Sequence, residues 1–193
     1  MLLNEVSPAP VNPVPLKEFA AHLRLASGFT DDGSEDALLE LYLRNATAVI
    51  EARTGKALIS RPYMLQVASW NWRGHVVLPI GPVAAVDQID LVRQGTTISL
   101  SPDEWSVEPG SGRQRLTAPG GGALRVLPHG SIAEIRFSAG FGATWNDVPD
   151  DLRQAVLLLA THFFERRGGE DALDDGLPHG VLPIIERHRP IRL

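Results

Sequence analysis

The sequence predicts an α+β protein, a small helical bundle with an antiparallel β-subdomain inserted between the second and third long helices. Three observations carry this. Apolar residues recur at helical spacing near both ends, over residues 16–54 and 149–167. Residues 57–141 break instead into short β-prone runs separated by Gly- and Pro-bearing turns. Such closely spaced runs describe an antiparallel sheet and leave no room for βαβ units.

Residues 1–15 carry Pro8, Pro10, Pro13 and Pro15, which exclude helix and central strand. They are expected as an extended arm, or as a disordered terminus. Leu16, Phe19, Ala20 and Leu23 make the apolar stripe of a first helix, opened by Pro15 and stopped by Gly28. Ser34 is a good N-cap, and Glu35 and Asp36 suit the start of a second helix running to Thr54, with Gly55 as its stop. Leu38, Leu39, Leu41, Leu43, Val49 and Ile50 spread round much of that helix. Glu40, Arg44, Thr47 and Glu51 form one polar stripe. A helix this apolar is covered on several sides, by its own fold or by a neighbouring subunit.

Strands are expected at 63–67, 84–92, 96–100, 105–107, 123–127 and 132–137, with a hairpin turn at Gly120-Gly121-Gly122. Trp70 and Trp72 flank Asn71 near a turn. Alternation puts them on one face, either exposed as interface aromatics or packed on the sheet's own core. A third helix begins at Pro149, with Asp150 and Asp151 in its first turn and Arg166 and Arg167 in its last, matching the helix dipole. The chain ends in a short apolar-basic stretch. Leu182, Ile184, Ile185 and Ile191 sit among Arg187, Arg189 and Arg192, while Pro183 and Pro190 forbid a long helix. Such a peptide suits docking into a partner's groove, or packing back on its own bundle.

Composition narrows the chemistry. The chain has 193 residues, 44% of them hydrophobic, enough to bury a core. With no cysteine there is no disulfide, thiolate nucleophile or cysteine zinc site. The first residues lack the basic and apolar regions of a signal peptide, and no apolar run reaches a bilayer span, so a soluble protein made in a cytoplasm, with no membrane partner, is expected. A net charge of −5 argues against a nucleic-acid-binding module. The six histidines include no i, i+4 pair and no HExxH, and GxSxG and P-loop patterns are absent. Asp31-Asp32 and Asp174-Asp175 suit solvated loops and helix caps better than acid–base pairs. No catalytic residue, metal site or cofactor is expected.

Several motifs then recur in a specific order. Leu16-Lys17-Glu18-Phe19 opens a short helix. Asp36 to Leu43 leads into Ile50-Glu51-Ala52-Arg53-Thr54-Gly55-Lys56, followed by Arg61-Pro62-Tyr63. Further on come Leu78-Pro79-Ile80-Gly81-Pro82-Val83, Phe137 to Gly142, Val148 to Val156, and His162 to Arg167. In this order they resemble the head–tail connector (adaptor) family of long-tailed phages, closest to the version in gene transfer agents and related prophages. The likeness covers about residues 16–190.

The resemblance implies a ring, twelve-fold in the family, between the portal protein and the stopper or tail-completion protein of a phage-like particle. DNA passes through its channel without specific binding. The chain is thus expected to divide into the extended arm (1–15), a helical bundle (16–56 and 148–170), an inserted β-subdomain (57–147) and a C-terminal segment (171–193), which the resemblance implies docks on the portal. Leu182, Ile184, Ile185, Arg187, Arg189 and Ile191 are the docking candidates. Glu40, Arg44 and Glu51 offer both signs of charge to a neighbouring subunit or to the channel wall. The rival reading is another virion tail-completion protein of similar architecture. An enzyme or small-molecule-binding domain would need a pocket with convergent polar groups.

Overall fold

The computed structural model describes residues 1–7, 14–24, 35–109, 113–166 and 177–190. The chain divides into two compact units. One comprises Met1–Pro8, Gly55–Ala143 and Pro190–Leu193; the other comprises Ala9–Thr54 and Thr144–Arg189.

The second unit is helical. Its elements are α1 (Leu16–His22), α2 (Asp36–Thr54), α3 (Asp150–Glu165) and α4 (Leu182–His188). α3 is its centre, burying Leu152, Ala155, Val156, Leu157, Leu159 and Ala160. Such dense burial follows from the unbroken apolar run at 155–160, which covers the helix almost all round. α2 packs against α3 and buries Leu39, Leu43, Ala46 and Ile50, and α4 packs on both. Tyr42 meets Phe164 edge-on at 6.1 Å. Gly55 takes φ +66 immediately after α2, the left-handed conformation that ends a helix at little cost for glycine. Ahead of α3, Thr144 and Asp147 cap a 3-10 turn, and the buried Trp145 donates its indole N–H to Glu18 at 3.1 Å, tying this turn to α1. The expected stops and caps at Gly28, Ser34, Arg167 and Gly168 lie outside the described residues.

The first unit holds two antiparallel sheets. The larger has the order β1 (Leu2–Glu5), β2 (Arg61–Val67), β8 (Ile132–Ala139), β4 (Val83–Arg93), β5 (Thr96–Ser99). The smaller has the order β3 (Val76–Val77), β7 (Arg115–Thr117), β6 (Ser106–Glu108). β2 and β8 alternate strictly, sending Tyr63, Leu65 and Val67, and Ala133, Ile135, Phe137 and Ala139, into one core. Tyr63 stacks on Phe137 at 5.5 Å. β4 buries Val86, Ile89 and Leu91. Val86 and Ile89 are three apart, a spacing that simple alternation would place on opposite faces. The register shift between Val86 and Gln88 restores the phase.

Three sequence expectations change here. Leu2–Glu5, expected within an arm, is an edge strand paired along β2, with Glu5 ion-paired to Arg61. Residues 8–13 of that stretch lie outside the described residues. Residues 123–127 form no strand. The Pro119–Gly121 turn, with Gly120 and Gly121 at φ +75 and +79, folds back so that Ala118 bridges Gly122. The following segment spends its main chain on loop contacts, Leu124 N–H donating to Gly74 and Arg125 C=O accepting from Trp70. Finally, β3 and β7 are strands the sequence reading passed over. Each is too short to show an alternating pattern, and Leu116, fully buried, is the anchor of β7.

Candidate functional site

Three surfaces bear the residues singled out from sequence. On α2, a 100° step per residue sorts the side chains into three stripes. Leu39, Leu43, Ala46, Ile50 and Thr54 face the bundle. Glu40, Arg44, Thr47 and Glu51 flank them, with Arg44 exposed and the other three half-buried. A further stripe of Leu38, Leu41, Asn45, Ala48 and Ala52 is exposed, Leu38 at 37% and Leu41 at 42%. The helix's excess apolar surface is therefore divided: its own fold covers one part and leaves Leu38 and Leu41 open.

At the C-terminal end, α4 lies on the bundle. Val181 and Ile185 are buried, so Ile185 is a core residue of the helical unit and not part of an open docking face. The helical period turns it inward, four residues after Val181. Leu182, Arg187 and Arg189 are exposed and Ile184 is half-buried, while Ile191 lies outside the described residues. Asp151, in the first turn of α3, holds this helix. His188 Nε2 lies 2.8 Å from its Oδ2, and Arg187 Nη1 lies 3.5 Å from the same oxygen. Burial raises the Asp151 carboxyl, but the bond and charge of His188, the Leu152 N–H and the Arg187 charge outweigh it and hold the group below the usual carboxylate value.

The two tryptophans part company. Trp70 packs on the sheet core and donates its indole N–H to Arg125 C=O at 2.8 Å. Trp72 is 85% exposed, with the Arg73 guanidinium 4.4 Å from its ring centre. Asn71 separates them: its side-chain oxygen accepts from Arg73 and His75 N–H, closing a turn in which strand alternation no longer holds.

Solved structures place these surfaces in context. Over all of this chain and 97% of theirs, three are similar. One is from the neck of an empty gene transfer agent (GTA) particle computed with C6 symmetry, at 45% identity and a TM-score of 0.88. Another is from the virion of a native GTA particle, at 45% identity and 0.86. The third is from the neck of a native GTA particle computed with C12 symmetry, at 41% identity and 0.83. The chain belongs to the family of GTA neck proteins. No protein-family model matches it, and no curated protein is a significant match.

A GTA neck protein is a component of the particle. Among the described residues of this one, no three His, Asp or Glu side chains converge as a metal site requires. The most developed polar cluster is structural. Asp90, 4% exposed on the outward face of β4, accepts from Ser99 Oγ at 2.7 Å, Gln88 Nε2 at 2.8 Å and Arg136 Nη1 at 2.8 Å. It ties β5 and β8 to β4. Sequence reading missed it, since nothing local distinguishes Asp90 from a solvated strand residue.

Proposed function

We propose that this GTA neck protein is the head–tail connector (adaptor), a structural, non-catalytic ring that docks beneath the portal protein. The ring extends the DNA channel and offers the platform on which the stopper or tail-completion protein sits. The observation that carries this reading is the open apolar stripe of α2. Leu38 and Leu41 remain in water although the bundle core is complete without them. A ring of identical head-to-tail subunits gives such a stripe a partner at every contact. The C6 and C12 symmetry of the similar necks fits this arrangement, with twelve copies as the family pattern.

In this reading the β unit is an insertion in the helical bundle, between α2 and α3. Arg44 and its stripe neighbours Glu40 and Glu51 border the subunit contact. Leu182, Ile184, Arg187, Arg189 and Ile191 meet the portal. Ile185 joins them only where α4 detaches from the bundle. DNA passes without specific binding, a reading that the chain's net charge of −5 favours over a nucleic-acid-binding module.

A cryo-EM map of the particle tests the reading. The expected result is a twelve-membered ring of this chain in direct contact with the portal, with the α2 stripe covered by the adjacent copy. A map that places the chain farther down the neck, away from the portal, overturns the connector assignment in favour of another tail-completion protein.

A further inference from the structure

One end of the β unit is built unlike the rest of the chain. It is made by residues 68–79, which run from the end of β2 through β3, and by residues 123–131, which lead into β8. The two segments are joined by Leu124 N–H to Gly74 C=O at 3.0 Å and by Trp70 Nε1–H to Arg125 C=O at 2.8 Å. Their apolar residues include two of the most exposed in the molecule, Trp72 at 85% and Val126 at 81%. Two open clefts flank Trp70. One, about 470 Å³, is lined by Trp70, Asn71, His75, Val77, Pro79 and Arg113 among others. The second, about 450 Å³, runs past Gly74, Leu124, Val126 and His129.

Charge separates this end from its surroundings. The chain carries 23 Asp and Glu against 18 Lys and Arg. Residues 68–79 and 123–131 contain no acidic residue, and carry Arg73, His75, Arg125 and His129. Neither cleft has an acidic residue in its lining. Glu104 approaches from outside, 3.7 Å from Arg125. Arg73 lies over the Trp72 ring instead of pointing free, a cation–π pairing that holds both groups out together. An exposed tryptophan beside arginine, over clefts of this size, has the composition of an interface hot spot.

We propose that this end of the β unit docks an acidic segment of a different protein of the particle. That segment carries an apolar side chain to cover Trp72 and Val126, and carboxylates to meet Arg73 and Arg125. The inference rests on the neck assignment, which surrounds this chain with other particle proteins. DNA is the poorer fit. Two exposed arginines neutralise few phosphates, and the centre of the surface is apolar. A second copy is also the poorer fit, because the α2 stripe already provides the contact between copies.

The test uses assembled particles and the chain's own scarcity of amines. Lys17 and Lys56 are its only lysines. Arg73→Lys keeps the cation and adds one amine at the tip, which a carbodiimide joins to a carboxylate in contact with it. The expected result is a cross-link from position 73 to Asp or Glu of another particle protein. At least tenfold slower oxidation of Trp72 in particles than in the isolated chain should accompany it. A cross-link to another copy of this chain overturns the proposal, as does ultraviolet cross-linking of Trp72 to DNA. Oxidation of Trp72 at the same rate in both states also overturns it. A map of the same particles separates this outcome from failure of the connector reading: the ring can be present under the portal while the tip stays bare.

Discussion

Replacing Leu38 and Leu41 together by aspartate should abolish ring assembly while leaving the isolated protein folded. Full burial of a leucine contributes about 1.5–3 kcal/mol. With 37% and 42% of these side chains still exposed, covering the remainder yields about 0.6–1.2 kcal/mol each, or about 1.2–2.4 kcal/mol per subunit contact. That is about 7- to 50-fold in each contact's association constant, and a closed ring multiplies the loss over all its contacts. The carboxylates add a desolvation cost on top. In the isolated chain neither side chain belongs to the core, so the stability change should stay within about 1 kcal/mol. Leu43→Ala is the contrasting control: it empties a site that is 1% exposed and should cost about 2–5 kcal/mol of folding stability. The assay pairs a urea unfolding curve of each isolated variant with native mass spectrometry of its complex on purified portal. Wild-type ring occupancy by the Leu38→Asp, Leu41→Asp variant would refute the assignment of the α2 stripe to the subunit contact.

Three further outcomes follow from the geometry. Gly140→Ala should destabilise the β unit by more than the roughly 1–3 kcal/mol typical of backbone strain, because Gly140 sits at φ +143 and a Cβ there overlaps the Ser60 main chain; an unchanged thermal midpoint would contradict that packing. Burial raises the Asp90 carboxyl, but bonds from Ser99, Gln88 and Arg136 outweigh it and hold the group below its usual value, and Asp151 is likewise lowered. Their contribution is therefore complete above about pH 4 and lost as pH falls through the folded-state values, so Asp90→Asn should flatten the acid limb of the stability–pH curve and cost about 1.5–3 kcal/mol at neutral pH; a limb as steep as wild type would show that Asp90 does not carry it. Finally, the isolated protein should form no submicromolar DNA complex at about 150 mM salt in a mobility-shift titration, and such a complex would overturn the passive-channel reading.

α1, α2, α3 and most of the large sheet are legible in the sequence, because their signals are local and periodic, whereas the short α4 is not, its Pro183 masking the helical spacing. α2 stops at Gly55, where only glycine easily takes the left-handed conformation. α3 starts after Pro149 with two aspartates at its positive end, and β2 and β8 alternate residue by residue. The ordered motifs likewise carried the family, at the level of a neck protein, since the matching structures cover the chain from end to end. Which faces are free is set by tertiary packing. Leu39 and Leu41 are alike in sequence, yet one is fully buried and the other 42% exposed, because burial depends on where α3 and α4 pack. Ile185 went to the core and Leu182 to the surface for the same reason. Trp70 and Trp72 parted at an Asn71 turn whose bonds come from Arg73 and His75, and Asp90 gained its partners from β5 and β8, far along the chain. Local spacing states what a residue tends to do within its own element. Exposure and pairing are set by elements that meet only after the chain has closed on itself.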